Sequence, residues 1–347
     1  MTKQIQIAAF GDLLVRGPII ESAKLPGQDR YSFDPILEPV APILRQADLT
    51  IGNLEVTLAG REVNYLRRNP RTRYPEFNCP DELAAALANA GIDVLTTANN
   101  HCMDRGAAGL ARTLRVLNKH RIEHTGTYAS KAEAGKPLLL DRNGIRIGIL
   151  SYTRGTNGLS VPHPWMVNRL RLANLLRDLK KLVRLTDLPI VCIHTGPEYS
   201  HTPTKEQQRL VRILFKHGAR LVLGSHPHVV QPVWLPSPEQ GAVYSMGSLV
   251  STRLKKNPAT LAGVIMQFEI VKETNGKIRF SNVSAVPTWI RSPDKTESGT
   301  YQVVPIEAAI EQPGVVTEAE ERDKMMRMKE QTLSVLNVSS SDLVNIK

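Results

Sequence analysis

Asp12, Glu55, Asn100, His194, His226 and His228 share one place in the pattern of this chain, each standing where a short apolar run ends. Two carboxylates, an amide oxygen and three imidazoles form a mixed oxygen and nitrogen donor set. Such a set suits Mn, Fe or Zn better than Ca or Mg, so the expected cofactor is a divalent transition metal, as one ion or two. No member carries that reading alone. A single His is more often a hydrogen-bonding residue than a ligand, which sets His124, His163 and His217 aside. His226-Pro227-His228 is more informative, because alternate residues of an extended segment converge only where the backbone bends, and Pro227 helps to fix a bend. Asn100 and His101 place a ligand oxygen beside a group able to move protons, although an Asn-His pair also serves as a helix N-cap. Glu198, Tyr199 and His201 follow His194 closely. Glu198 and His201 are candidates for catalysis and Tyr199 for substrate contact; the other role open to all three is shaping the loop.

The elements that must position these groups alternate between apolar runs and helical segments, the pattern of an α/β layered fold. Residues 5–10 predict a strand ending at Gly11-Asp12, and residues 48–54 a strand ending at Glu55. Residues 80–90 read as a helix closed by Gly91, and residues 92–98 as a strand running into Asn99-Asn100-His101. A helix follows at 107–118, then strands at 145–152 and 188–193, the latter ending at His194. Thr204 can cap a helix over 205–217 before a strand at 221–223 that leads into Ser225-His226-Pro227-His228. Residues 243–246, 263–271 and 278–286 are β-like, and 318–336 form an amphipathic helix with a frayed end beyond it. Strand ends are where sites form in such sheets.

Length and composition set the frame. A chain of 347 residues with 41% hydrophobic and 22% charged residues can bury a sizeable core, and disorder throughout is excluded. The expected division is one domain over residues 1–290 and a C-terminal extension over 291–347 whose helix packs on it. The first residues lack the character of a signal peptide, and no apolar run approaches bilayer length. Cys79, Cys102 and Cys192 are odd in number and far apart, which points to a reducing compartment, the cytoplasm. Lys and Arg total 44 against 33 acidic residues, a net charge of +11 that favours an anionic partner. The basic residues cluster at 169–184, where helical spacing indicates a solvated face, and at 61–73, where Asn69 and Pro70 indicate a loop. Arg67, Arg68, Arg71 and Arg73 of that loop are the candidates for contacting an anionic substrate. Nucleic acid is disfavoured, since no recognition motif and little aromatic interleaving accompany the charge. Oligomeric state is not set by any of these features.

Gly11-Asp12, Asn53-Leu54-Glu55, Ala98-Asn99-Asn100-His101 with Asp104 and Gly106, His194 through Tyr199, Gly224 through His228, and Tyr244 through Ser248 occur in one order. That order resembles the CapA family of poly-γ-glutamate capsule biosynthesis proteins, on the calcineurin-like metallophosphoesterase fold, over roughly residues 5–290. The resemblance implies a four-layer α/β/β/α sandwich. It also implies that Glu55 bridges two metals, with Asp12 and His228 on one, Asn100, His194 and His226 on the other, and His101 as the neighbouring acid or base. Leu14 stands where phosphoesterases of this superfamily usually have His, and Glu55 where they usually have Asp. Family members commonly begin with a membrane anchor, whereas here the first strand starts at once. The implied activity is hydrolysis or transfer on an anionic substrate, a γ-glutamyl polymer or a phosphoester. Two alternatives stay open: a peptide epimerase moving the α-proton of a ribosomally made, lasso-type precursor, and a non-catalytic protein that binds a polyanion.

Overall fold

The apolar runs gather into two sheets lying face to face in a computed structural model, which describes residues 2–336. The first sheet orders its strands as Gln302–Pro305, Ile278–Arg291, Ala262–Lys272, Lys3–Leu13, Leu49–Leu54, Val94–Thr96 and Glu123–Thr125, with Ser248–Val250 paired beside the end of Lys3–Leu13. The second runs Val230–Ser237, Gln240–Met246, Leu221–Ser225, Leu188–His194, Ile145–Thr153 and Leu138–Arg142.

Between the sheets, Ile5, Ile7, Leu49 and Ile51 face Ile147, Ile149, Ile190 and Leu223, all buried. The outer faces are apolar too, and helices cover them. Leu83 and Leu87 of the helix Glu82–Asn89 and Leu117 of Gly106–Lys119 pack on the first sheet. Leu175, Leu179 and Leu182 of Leu172–Leu185 form an i, i+4, i+7 stripe on the second, joined by Val211 and Leu214 of Lys205–Lys216. The result is the α/β/β/α sandwich. Thr204 starts the last of these helices with a capping box: its hydroxyl accepts from the Gln207 amide at 3.1 Å, and the Gln207 side chain accepts from the Thr204 amide at 2.9 Å.

Each sheet has a parallel core of four strands, Lys3–Leu13, Leu49–Leu54, Val94–Thr96 and Glu123–Thr125 in one and Ile145–Thr153, Leu188–His194, Leu221–Ser225 and Gln240–Met246 in the other. Their C-terminal ends fall together. Asp12 is level with Asn53, and His194 with Ser225.

Of the segments that differ from expectation, three lie beside the site or at the edges of the second sheet. Residues 61–73 are not a plain loop, because Leu66–Arg68 pairs antiparallel with Pro75–Phe77, and the Asn69 side chain accepts from the Arg71 and Thr72 amides at the turn. The arginines therefore ride on a hairpin. Val230–Ser237 is a strand despite Pro232 and Pro236, which an edge strand tolerates since its outer N–H groups need no ladder partner. Leu138–Arg142, at the opposite edge, was also absent from the expectation.

Beyond residue 290 the chain supplies an edge strand of the first sheet as well as the helix Ala319–Leu336, which packs against Val230–Ser237, Ala262–Lys272 and Ile278–Arg291. The expected frayed end lies outside the described residues. All three cysteines are buried and free, and no described helix is long and apolar enough to cross a membrane.

Arg291 ties that helix down: its Nε and Nη2 donate to the two carboxylate oxygens of Glu321 at 2.9 and 3.0 Å, both side chains being buried. Glu321→Ala would strand a buried guanidinium, and the expected cost is about 3–5 kcal/mol, read from the urea midpoint. A midpoint equal to the parent's would show that the helix is held without the pair.

Candidate metal centre

Asp12 reaches the shared edge because its strand can lie hard against the chain at Gly247. A Cβ on Gly11 would sit 1.9 Å from the Gly247 carbonyl oxygen, the same oxygen that accepts the Asp12 amide at 3.0 Å. Asp12 and Glu55 are both 0% exposed. Asp12 Oδ1 accepts from Asn53 Nδ2 at 2.8 Å, while Oδ2 lies 3.1 Å from His228 Nδ1 and accepts the His226 amide at 3.2 Å. Glu55 is different. Both of its carboxylate oxygens are buried without a hydrogen-bond partner, with His194 Nε2 at 3.4 Å from one and His228 Nδ1 at 3.9 Å from the other.

His194 closes the strand Leu188–His194; its Nδ1 lies 2.9 Å from Ser225 Oγ, which orients the ring, and its Nε2 lies 2.8 Å from Asn100 Oδ1. His226 packs its ring 4.8 Å from that of His194, tilted by 56°, and leaves Nδ1 buried and unpartnered. His226 and His228 both have left-handed backbone, φ 100° and 56°, so the bend around Pro227 is made by the histidines themselves. Two ligand groups result, Glu55 with His194 and His226, and Asp12 with Glu55 and His228, each with its ligand atoms within 4.8 Å of one another. A carboxylate buried without a donor is costly unless a positive charge compensates it. The orphaned Glu55 oxygens, set between the His194 and His228 imidazoles, therefore fit a divalent ion. Leu14 is buried in the hydrophobic cluster beneath the outer helices and offers no ligand.

The titrating groups sort by which force prevails. Burial raises the Asp12 carboxyl, but the hydrogen bond and charge of His228, with lesser help from His194 and Asn53, outweigh it and hold the group at about 2. For Glu55, burial and the nearby Asp12 charge act together and push the carboxyl well above its ordinary range. Burial also dominates at His194 and His226, lowering both to about 3 and keeping them neutral. At His228, burial is opposed and overcome by Glu55 and Asp12, which raise the imidazole to about 9.

His101 stands beside this cluster. Its Nδ1 lies 2.7 Å from Asp104 Oδ2, an oxygen that also accepts the Phe77 amide at 2.6 Å. Burial lowers the imidazole, but Asp104 prevails and raises it. Nε2 faces Asn157 Nδ2 at 3.4 Å, and Asn157 Oδ1 accepts from Asn100 Nδ2 at 3.3 Å. Asn53, Ser225 and Asn157 thus hold the candidate ligands in place without having been singled out. Ser248 approaches His228 Nδ1 at 3.4 Å in the same supporting role.

The other candidates disperse. Glu198 is exposed, yet its charge is felt at Glu55 and at the three imidazoles, and it hydrogen-bonds Tyr199. Tyr199, φ 66°, donates its amide to the Pro227 carbonyl at 2.8 Å and holds its ring 6.3 Å from that of His228. His201 is not brought to the cluster: its Nδ1 lies 2.9 Å from the Val230 carbonyl oxygen, and its Nε2 faces Gln331 of the C-terminal helix. Arg67, Arg68, Arg71 and Arg73 are all exposed. Arg67 pairs with Glu62 at 3.1 Å, and the hairpin's Phe77 packs its ring 4.6 Å from that of His101.

Since His228 is raised to about 9, it holds its proton near neutral pH in the metal-free protein and must release it to coordinate, and Glu55, also shifted upward, coordinates as the ionised carboxylate. Affinity for added Mn or Zn should climb as pH rises from 6 toward 9, roughly tenfold per pH unit for each proton released. Titration calorimetry in buffers of different ionisation enthalpy reads that release directly; an affinity flat across the range contradicts it. His226→Ala should remove most of the metal found by elemental analysis.

Residues 6–253 match the family described as bacterial capsule synthesis protein PGA_cap. The chain is 28% identical over 258 residues to capsule biosynthesis protein CapA of Bacillus anthracis, covering 72% of this chain and 60% of that protein. It is 26% identical over 289 residues to PGA biosynthesis protein CapA of Bacillus subtilis (strain 168), covering 80% and 70%. Similar solved structures include NAD nucleotidase (NadN) of Haemophilus influenzae, with TM-score 0.49, 11% identity and coverage of 95% of this chain and 63% of that one. Another is the calcineurin-like phosphoesterase YfkN of Bacillus subtilis, with TM-score 0.47, 12% identity and coverage of 97% and 100%. On the match over residues 6–253, the chain belongs to the bacterial capsule synthesis protein PGA_cap family.

Proposed function

We propose that the chain is a metal-dependent hydrolase or transferase acting on an anionic substrate, a γ-glutamyl polymer before a phosphoester. The observation that carries this is Glu55, whose two unpartnered oxygens lie between His194 and His228 with the His101–Asp104 pair alongside. Capsule and PGA biosynthesis, in the names of the relatives, support the polymer. Three buried free cysteines fit the reducing cytoplasm.

In this reading Glu55 would hold the metal together with Asp12 and His228 on one side and Asn100, His194 and His226 on the other. When bound, such ions supply positive charge that polarises the scissile carbonyl or phosphoryl group and makes hydroxide accessible near neutral pH. The chain's own residues do the rest. Asp104 takes the Nδ1 proton of His101 into a hydrogen bond, which turns Nε2 toward the substrate as the atom that protonates the departing amine or alcohol. The Asn157 amide nitrogen lies 3.4 Å from Nε2 at that edge of the ring. Glu198 and Tyr199 border the mouth, and the arginine hairpin draws a polyanion toward it.

Metal-loaded protein incubated with poly-γ-glutamate should release new amino groups; release of phosphate from aryl phosphates instead would select the phosphoester. Deuterium uptake at a peptide Cα in heavy water, without cleavage, would assign epimerisation. Absence of any turnover with metal bound would leave a binding protein.

His101→Ala should keep its metal and lose roughly 10²–10⁴ in activity, the usual contribution of a general acid. Metal loss equal to that of His226→Ala would show that His101 is instead a ligand. Replacing Arg67 and Arg68 together with Gln should raise KM and flatten its dependence on salt with little change in kcat, since exposed charges act over a screened distance. A double variant that matches the parent at every ionic strength removes the hairpin from substrate capture.

A further inference from the structure

Arg16 is a half-buried cation with no counter-charge among the described residues. It lies just past the strand that carries Asp12. Its Nη1 donates to Thr252 Oγ1 at 2.6 Å, and no carboxylate among the described residues comes within 4.0 Å of it. Burial lowers the guanidinium pKa, and the opposing influences come from the phenols of Tyr199 and Tyr301, not from any acid. A guanidinium has five N–H donors, of which this hydrogen bond uses one. Removing such a group from water without pairing it is unfavourable, and elsewhere in this chain buried arginines are paired, Arg291 with Glu321 and Arg105 with Glu62.

Its neighbours fix its place. Arg16 lies over the Phe77 ring, 6.0 Å from its centroid, and that ring also packs against His101. Tyr199, whose phenol acts on the guanidinium, holds its ring 6.3 Å from that of His228. Thr252 follows the strand whose Ser248 is level with Asp12. The guanidinium therefore lies over a ring that also packs against the proton-transfer His, and it is influenced by a phenol whose ring lies near a candidate ligand.

We propose that Arg16, with the Thr252 hydroxyl hydrogen-bonded to it and the Tyr199 and Tyr301 phenols acting on it, binds an oxyanion of the substrate, carboxylate or phosphoryl, beside the metal centre. Arginine presents paired N–H groups that match either anion. This rests on the reading of the site as a metal-dependent enzyme for an anionic substrate and names the residue that receives the charge. The exposed hairpin arginines gather a polyanion at a distance, whereas Arg16 contacts one anionic group at the reacting end.

The test titrates metal-loaded full-length protein with inorganic phosphate and, separately, with glutarate, following heat and thermal melting, with metal content measured for every variant. The parent should bind at least one, and which one binds tells a phosphoryl from a carboxylate group. Arg16→Gln should weaken that binding roughly ten- to a hundredfold with metal content unchanged, and Arg16→Lys should recover only part of it. Should Arg16→Gln melt early, Tyr301→Phe, at a partly exposed position, carries the test through a several-fold weakening. Binding of both anions by Arg16→Gln as tight as by the parent overturns the proposal, as does a parent that binds neither. Arg16-dependent anion binding in a protein with no turnover would instead sink the enzymatic reading and leave this one standing.

Discussion

Asp12 and Glu55 have no contact with solvent, stand at the ends of neighbouring strands and share three imidazoles between them. Two negative charges this close in a poorly polarisable interior repel strongly, and each also gives up its hydration. His228 resolves half of the conflict by standing 3.1 Å from Asp12. Glu55 remains as the group whose charge nothing among the described residues neutralises by hydrogen bonding. That residual demand for positive charge gives the edge of the sandwich its chemical character, and the surrounding amides and hydroxyls are arranged around it.

Holding such a set together needs both sheets. Asp12, Glu55 and Asn100 come from the first, His194 and the His226 segment from the second, and the distances between them follow from the layer of aliphatic side chains between the sheets. Cores pack to crystal-like density and do not stretch, so the spacing of the ligands is a property of residues such as Ile7, Ile51, Ile149 and Ile190 as much as of the polar groups. Parallel pairing then puts the polar ends of all these strands on one side.

The α/β order was legible because buried parallel strands are short apolar runs, and polar residues directly after them are conspicuous. Direction in space was not. His201 lies two residues from Tyr199, but the left-handed turn at Tyr199 carries the chain away, and the His201 ring ends against the Val230 carbonyl. Adjacency in sequence said nothing about that turn. Asn53 and Ser225 sat within the quoted segments, yet only their hydrogen bonds to Asp12 and His194 show what they do. Asn157 comes from a loop with no signal of its own, and Arg16 reads as an ordinary basic residue until its burial and its missing partner are seen together. The hairpin escaped notice because strands of three residues with Pro and Arg carry no period to detect.

The left-handed backbone at His226 and His228 has a consequence for how far this protein can be stabilised. A non-glycine residue in that region stores on the order of 1–3 kcal/mol, a strain that glycine would not incur. The residue that coordination demands is therefore not the residue the backbone prefers. Selection for thermal resilience alone, with no demand on activity, would drift toward Gly at these two positions and erase the imidazoles. Function and robustness pull against each other at one short turn, so an engineered variant that melts later is best sought in the outer helices, away from this edge.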